Sequence, residues 1–191
     1  PELAGKFSLL DDVREVTGAA LKLHGFSVNS TKPEELEKAK ATLMGARTRV
    51  KMFTSDMIDP LVNKEIAVAH AYSTDALQAA ARTGGKIEFI LPKEGGTRSI
   101  DNLVILKNSK HVEEAHALIN FLLSKEVNFE FVSRFRAGPV LATTKALLPQ
   151  DMQNNPSLFP TAPQLSKFER IQDLGGETGK YERIWTEVKA N

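Results

Sequence analysis

The chain has 191 residues, in which 25 basic and 24 acidic side chains nearly cancel. This balance provides no basic patch for a nucleic acid or a membrane surface. The sequence contains no cysteine, which excludes disulfide scaffolds, thiolate metal sites and cysteine nucleophiles. No apolar run approaches the roughly 20 residues that span a bilayer. Its first residues, PELAGKFSLL, lack the pattern of a signal segment. We therefore expect either a cytoplasmic protein or one whose leader precedes this sequence.

The first third of the chain alternates between strand and helix patterns. Short β-branched or apolar runs predict strands, and helical spacing after an acid or a proline predicts helices. The predicted elements are strands at Phe7–Leu10 and Val50–Phe53, and helices opening at Asp11-Asp12, at Pro33 and near Ser55.

A strand–helix–strand unit is predicted in the centre of the chain. Ile66–Ala71 and Ile87–Leu91 are too short for helices, so we interpret them as buried strands. Ser73–Arg82 forms the crossover helix, capped by its own first serine or threonine and ended by Gly84-Gly85. Tyr72 follows the first of these strands. Ligands of open α/β sheets bind at the carboxyl ends of the strands, so this edge is the candidate site.

The remainder continues the α/β pattern. It predicts a strand at Leu103–Leu106, helices at Val112–Leu123 and Lys125–Phe135, a helical stretch at Thr143–Leu148, and a last helix at Thr178–Lys189.

The sequence does not resemble that of an enzyme. His111 and His116 are five residues apart, whereas a helical metal pair needs four. We interpret these two, His24 and His70 as structural or surface residues. No nucleophile elbow, phosphate loop or dinucleotide fingerprint occurs, so we expect no catalytic residue, cofactor or resident metal.

The notable polar residues are acids at the ends of predicted strands. Asp12 and Glu15 have the spacing of a capping box, but two carboxylates at a strand end could also bind a cation, and both roles can coexist. Asp101 caps no predicted helix, and a buried carboxylate needs a cation or several donors. Tyr72 is either a core residue or a cleft wall.

Five segments together resemble the periplasmic spermidine/putrescine-binding proteins of ABC uptake systems. They are SLLDDVREV, NSTKPEELEKAK, FILPKEGGTRSIDNL, HALINFLLSKEV and LLPQDMQNNPSLFP, in this order and spacing. The resemblance implies a type II periplasmic binding protein fold, in which two α/β lobes close on a solute, and it implies binding without catalysis. It further implies export to the periplasm and an ABC permease as partner.

The resemblance also implies a division of the chain. Pro1–Thr97 corresponds to most of the second lobe, Arg98–Pro139 to a segment of the first lobe with hinge crossings at both ends, and Val140–Asn191 to the return into the second lobe. On this alignment, the first part of the N-terminal lobe lies outside the chain. We therefore expect a companion fragment, a swapped dimer, or disorder across the first-lobe segment.

The family's ligand-binding acids fall on Asp12, Glu15 and Asp101, and one of its aromatics falls on Tyr72. A second aromatic position is occupied by Ser99. These five positions are the expected ligand-binding residues. A polyamine needs carboxylates at intervals with aromatic faces between them.

The sequence departs from the family pattern in other places. Arg98 stands beside the substituted aromatic position, Ala137 lies where the family often has a tyrosine, and a family glutamine aligns with Ile171, next to Gln172. Three hypotheses therefore stay open: a polyamine-binding protein, a protein of the same fold that binds an amino acid-like or phosphonate solute through Arg98, and an interaction module without a small ligand.

Overall fold

A small parallel sheet lies at the centre of the computed structural model, which describes residues 2–190. The central strand β1 (Phe7–Leu9) lies between β2 (Met52–Phe53) and β3 (Val68–Ala69). Ser8 is opposite Met52 on one side and Ala69 on the other. Because all three strands are parallel, the residues that follow them meet at one edge of the sheet.

Helices account for most of the remaining regular structure between residues 2 and 190. They are α1 (Val13–Leu23), α2 (Pro33–Arg47), α3 (Ile58–Val62), α4 (Ser73–Arg82), α5 (Val112–Leu122), α6 (Lys125–Phe135), α7 (Gln150–Gln153), α8 (Ala162–Leu165) and α9 (Thr178–Ala190). Single 3₁₀ turns occur at Lys145–Leu147 and Gly175–Glu177. Within the described residues, no helix has both the length and the apolar character needed to cross a membrane.

The main hydrophobic core joins the sheet to α1, α2 and α9. Val16 and Leu21 of α1 are almost fully buried in the same cluster as Ile184 of α9. Tyr181 is completely buried there, and its hydroxyl lies 3.0 Å from the carbonyl oxygen of Val28 and 2.7 Å from that of Ser30. This contact fixes the C-terminal helix against the loop that follows α1.

A second, smaller core forms between α4 and α6. Leu77 of α4 and Val132 of α6 are buried with Leu148, Met152 and Leu158. The carboxamide of Asn128 on α6 accepts a hydrogen bond of 2.7 Å from the buried hydroxyl of Thr144. The two helices are therefore connected through residues that follow both of them in the chain.

Two predicted strands are wrong. Ile87–Leu91 is irregular: Ile87 packs against the main core and Phe89 against the second core, while Ile90 is 71% exposed. Leu103–Leu106 is also irregular, and Val104 is 79% exposed. A strand requires backbone hydrogen bonds to a neighbour. No other segment of residues 2–190 supplies a paired strand to either run, so apolar composition alone did not produce one.

Other local predictions have mixed outcomes. The bounds of α4 and α6 agree with the prediction, but the cap of α4 does not: Tyr72 occupies the N-cap position, and no side chain caps the helix. The helical stretch predicted at Thr143–Leu148 is reduced to one 3₁₀ turn.

Candidate functional site

Asp12 begins α1 at the carboxyl edge of the sheet. It has extended backbone angles, and its Oδ1 accepts hydrogen bonds from the amides of Arg14 (2.8 Å) and Glu15 (2.9 Å). The predicted N-cap is therefore confirmed. Because both bonds end on Oδ1, the cap leaves Oδ2 for a second partner, and the carboxylate can serve the helix and a ligand together.

Glu15 is a buried carboxylate one turn into the same helix. It is 8% exposed, and its Oε2 accepts a hydrogen bond of 2.5 Å from the Thr97 hydroxyl. Burial raises the pKa of Glu15 and the nearby Asp12 raises it further, whereas the hydrogen bond from Thr97 opposes the shift. A buried carboxylate with few hydrogen-bond donors is stabilised when a cation binds beside it.

Tyr72 lies at the end of β3 and is 38% exposed. Burial, and then the charges of Glu15, Asp12, Asp75 and Asp101, raise the pKa of its phenol to about 12. The tyrosine is therefore neutral at physiological pH, and each charged group that perturbs it is a carboxylate. Three of the other expected residues, Asp12, Glu15 and Asp101, are among the carboxylates whose charge raises the pKa of this phenol.

Asp75 is a candidate site residue that the sequence analysis missed. It lies in the first turn of α4, three residues after Tyr72. Burial raises its pKa, and so does the charge of Asp56, which follows β2. The sequence signal that could have identified Asp75 is its position in the first turn of a helix that follows a strand. Because β2 and β3 flank β1 in a parallel sheet, the residues that follow these strands approach the same edge.

The Pro-Lys-Glu-Gly-Gly turn determines where Thr97 and Asp101 lie. Gly95 has a φ of +93°, and a Cβ there would lie 2.2 Å from the carbonyl oxygen of Lys167, so only glycine fits. Thr97 then forms a parallel bridge with Glu169, and the Arg98 amide donates to the Glu169 carbonyl at 2.9 Å.

The side chain of Glu169 attaches this crossing to the other end of α1. It forms an ion pair with Lys22 at 2.7 Å and accepts a hydrogen bond of 2.5 Å from the Ser27 hydroxyl.

Ser99 and Asp101 follow the crossing in irregular, exposed chain. Asp101 is close enough to act on the Tyr72 phenol. In the described part of the chain, the Ser99 side chain forms no hydrogen bond with Asp12, Glu15, Tyr72 or Asp101. Its role as a ligand-binding residue stays a prediction.

A cavity of about 160 Å³ lies beside Glu15, and its lining includes His70, Gly95 and Thr97. Burial lowers the pKa of His70, although the charge of Asp12 opposes the shift. The imidazole is therefore neutral at neutral pH and adds no positive charge beside the acids. Its buried Nδ1 has no hydrogen-bond partner among the described residues.

The positive charge of Arg14 is engaged elsewhere. Its guanidinium lies 4.7 Å from the ring centroid of Tyr181 and donates to Asn29 Oδ1 and to the Gln172 carbonyl, both at 3.0 Å. No group of three or more His, Asp or Glu side chains between residues 2 and 190 is arranged to hold a metal ion.

A parallel sheet with carboxylates and an aromatic ring at its carboxyl edge is typical of a ligand-binding α/β lobe. The family model described as bacterial extracellular solute-binding protein matches residues 1–168. The chain belongs to this family, and the predicted type II periplasmic binding protein fold is confirmed.

Curated relatives of the chain are polyamine-binding proteins of bacteria. The chain is 36% identical over 192 residues to the spermidine/putrescine-binding periplasmic protein of Salmonella typhimurium, covering 100% of this chain and 55% of the relative. It is 32% identical over 195 residues to the putrescine/cadaverine-binding protein of Pseudomonas aeruginosa, covering 98% and 55%. The chain thus spans about half the length of the curated relatives it matches.

Solved structures show the same fold. A putative spermidine/putrescine ABC transporter protein from Listeria monocytogenes superposes with a TM-score of 0.91 at 29% identity, over 99% of this chain and 59% of that chain. The substrate-binding protein of a spermidine/putrescine ABC transporter from Streptococcus pneumoniae superposes with a TM-score of 0.85 at 25% identity, over 99% and 59%.

Proposed function

We propose that the chain supplies the polyamine-binding acids of the solute-binding component of an ABC transporter, which acts in the periplasm and delivers spermidine or putrescine to a membrane permease. The names of its relatives support this class of ligand. Asp12, Glu15, Tyr72 and Asp101 are the proposed contacts, and Asp75 is added to them.

The observation that carries the proposal is the environment of Tyr72. Every charge that perturbs its pKa is negative, and the ring remains partly exposed. An aromatic face among carboxylates is complementary to ammonium groups separated by methylenes. This environment favours a polyamine over the anionic solute that Arg98 could bind.

The contributions of these contacts to the binding free energy are modest and depend on closure of the lobes. An ammonium over a tyrosine contributes about 0.5–2 kcal/mol, the upper value when water is excluded. An exposed ammonium–carboxylate pair contributes less than about 1 kcal/mol. A first lobe that covers the acids would therefore raise the affinity by desolvating these contacts.

Substitution of Asp101 tests the proposal. Asp101→Asn removes one charge from a side chain that is exposed in the chain alone but desolvated once the first lobe covers it. With that lobe added, we therefore expect spermidine affinity to fall at least tenfold, about 1.4 kcal/mol, with no change in melting temperature. Isothermal titration calorimetry measures the affinity. Asp151→Asn on α7 is the matched control, and it should leave binding unchanged.

Other results would favour the other hypotheses. Unaltered spermidine binding by Asp101→Asn would remove this residue from the site. Binding of an amino acid-like or phosphonate solute, with no response to spermidine, would favour the same fold with a different ligand. A ligand at 100 times its dissociation constant stabilises a protein by about 2.7 kcal/mol, so no thermal shift with any solute would favour an interaction module.

We also propose that residues 98–139 belong to a first lobe, between parts of the second lobe at residues 1–97 and 140–191. On this division the second core, in which Val132 of α6 packs with Leu77 and Leu148, is a contact between the two lobes. Leu103 is 60% exposed, Leu106 77% and Phe121 61%, and α5 has no buried residue. Several large apolar side chains exposed in one segment are typical of an interface. The proposed occupant is the remaining first-lobe polypeptide of a family member.

Native mass spectrometry distinguishes this occupant from a second copy of the chain. A monomer that acquires a 1:1 complex when the first lobe is added supports the proposed occupant. A stable dimer of the chain alone would instead support exchange between copies, and a monomer that ignores the added lobe would refute the lobe assignment.

A further inference from the structure

The hydrogen bond between Thr97 and Glu15 joins two parts of the chain that are 82 residues apart in sequence. Glu15 lies on α1, at the proposed polyamine site, and Thr97 is the last residue before the segment that we assign to the first lobe. The bond is 2.5 Å long, and its acceptor is a carboxylate that is almost completely buried. Short hydrogen bonds to a charged, desolvated acceptor are stronger than those between neutral groups, and this bond is of that type.

We propose that Thr97 is a positioning residue for the polyamine site: it orients the Glu15 carboxylate for a ligand ammonium and links this orientation to the crossing between the lobes. The inference rests on the proposed function. A threonine hydroxyl has one proton, and Thr97 gives it to Oε2 of Glu15. This bond restrains rotation of the carboxylate and leaves Oε1 to accept from the ligand.

The position of Thr97 is itself determined by backbone contacts. It pairs with Glu169, whose amide donates to the Gly96 carbonyl at 3.0 Å and whose carbonyl accepts from Arg98 at 2.9 Å. Gly95, in turn, lies against Lys167 with no room for a side chain. The hydroxyl is thus presented by a fixed segment, and a displacement of this segment relative to α1 would break the bond to Glu15.

The charged groups around Glu15 make this bond important. Asp12 on its own helix opposes ionisation of Glu15, while Arg14 contributes only the smallest favourable effect. Lys22, Glu94 and His70 line the adjoining cavity, but Lys22 is paired with Glu169 and burial keeps His70 neutral. Among the groups that favour the ionised form of Glu15, the Thr97 hydroxyl has the largest effect.

Thr97→Val is the informative substitution because valine has nearly the same shape and lacks only the hydroxyl. We expect spermidine affinity at pH 7 to fall about tenfold, the lower range for loss of a hydrogen bond to a charged group. The acid limb of the affinity–pH profile should move to higher pH. Thr97→Ser keeps the hydroxyl and should restore both properties, and Thr186→Val on α9 is the matched control.

A double-mutant cycle tests whether Thr97 acts through Glu15. In a Glu15→Gln background, Thr97→Val should weaken binding no further. Equal effects of Thr97→Val in both backgrounds, or an unshifted pH profile together with a lower melting temperature, would overturn the inference and leave Thr97 with a purely structural role.

A measurement on the unliganded chain separates this inference from the proposed function. Titration of the Glu15 carboxyl carbon by NMR should show a higher pKa in Thr97→Val than in the unsubstituted chain. If spermidine does not bind but this shift occurs, the proposed function fails and the coupling of Thr97 to Glu15 stands. An unchanged Glu15 titration would overturn the coupling whatever the ligand.

Discussion

Substitutions of Asp12 separate its role in the fold from its role at the site. Asp12→Ala removes the acceptor for two amides in the first turn of α1, those of Arg14 and Glu15. Loss of an N-cap of this kind costs about 1 kcal/mol, within a range of about 0.5–2 kcal/mol. For a chain of this size, 1 kcal/mol lowers the melting temperature by about 2–4 °C.

Asp12→Asn should behave differently because asparagine caps helices about as well as aspartate. Its carbonyl oxygen can accept the same two hydrogen bonds, and loss of the negative charge beside Glu15 removes a repulsion. We therefore expect a stability change below about 0.5 kcal/mol, but a clear loss of spermidine affinity because one carboxylate of the site is gone.

Urea unfolding followed by circular dichroism, with calorimetric titration of spermidine, tests both expectations. Asp11 is the matched control: it is the adjacent aspartate, and it forms an exposed ion pair of 2.6 Å with Lys189 rather than a cap. Its alanine and asparagine variants should therefore have the same small effect. If Asp12→Asn destabilised the chain as much as Asp12→Ala, the charge and not the hydrogen bonds would stabilise α1, and the reasoning would be refuted.

Three further predictions concern the turn, the core and pH. Gly95→Ala should destabilise the chain severely and shift its unfolding midpoint, since the new Cβ would meet the Lys167 carbonyl at 2.2 Å; a normal midpoint would show that the turn can move. Tyr181→Phe should cost about 1–3 kcal/mol in urea unfolding because the single buried donor near the carbonyls of Val28 and Ser30 is lost, and a neutral effect would mean that water replaces the hydroxyl. Spermidine affinity should fall as pH decreases through the pKa of Glu15, which lies above its ordinary value of 4.5, and binding should release protons in that range. Equal binding enthalpies in buffers of different ionisation enthalpy would contradict this. In the unliganded chain the sign is opposite: the raised pKa of Glu15 contributes stability below pH 4.5 that is lost as pH rises through the folded-state value.

Local features of the sequence predicted the helices well. Pro33 predicted the first residue of α2, and Gly84, with its positive φ, follows the end of α4. The bounds of α6 were also predicted correctly. A helix satisfies its backbone hydrogen bonds within its own segment, so spacing, caps and helix-breaking residues are enough to locate it.

Strands and the site depended on more distant parts of the chain. Ile87–Leu91 and Leu103–Leu106 have strand composition, yet neither has a paired neighbour among the described residues. Similarly, the sequence indicated Asp12 and Glu15 as a local pair, whereas the effect of Asp75 on Tyr72 and the bond from Thr97 to Glu15 were not visible in any short motif.

The sequence by itself determined most helix ends and the acids that follow the first strand, because each of these follows from residues within about one or two turns of one another. The order and spacing of five segments along the chain indicated the family fold. Only the tertiary structure decided which carboxylates surround Tyr72 and which oxygen of Glu15 is already occupied. Those relations join residues that are tens of positions apart, and they exist because the parallel strands end at one edge and the glycine turn returns Thr97 to α1.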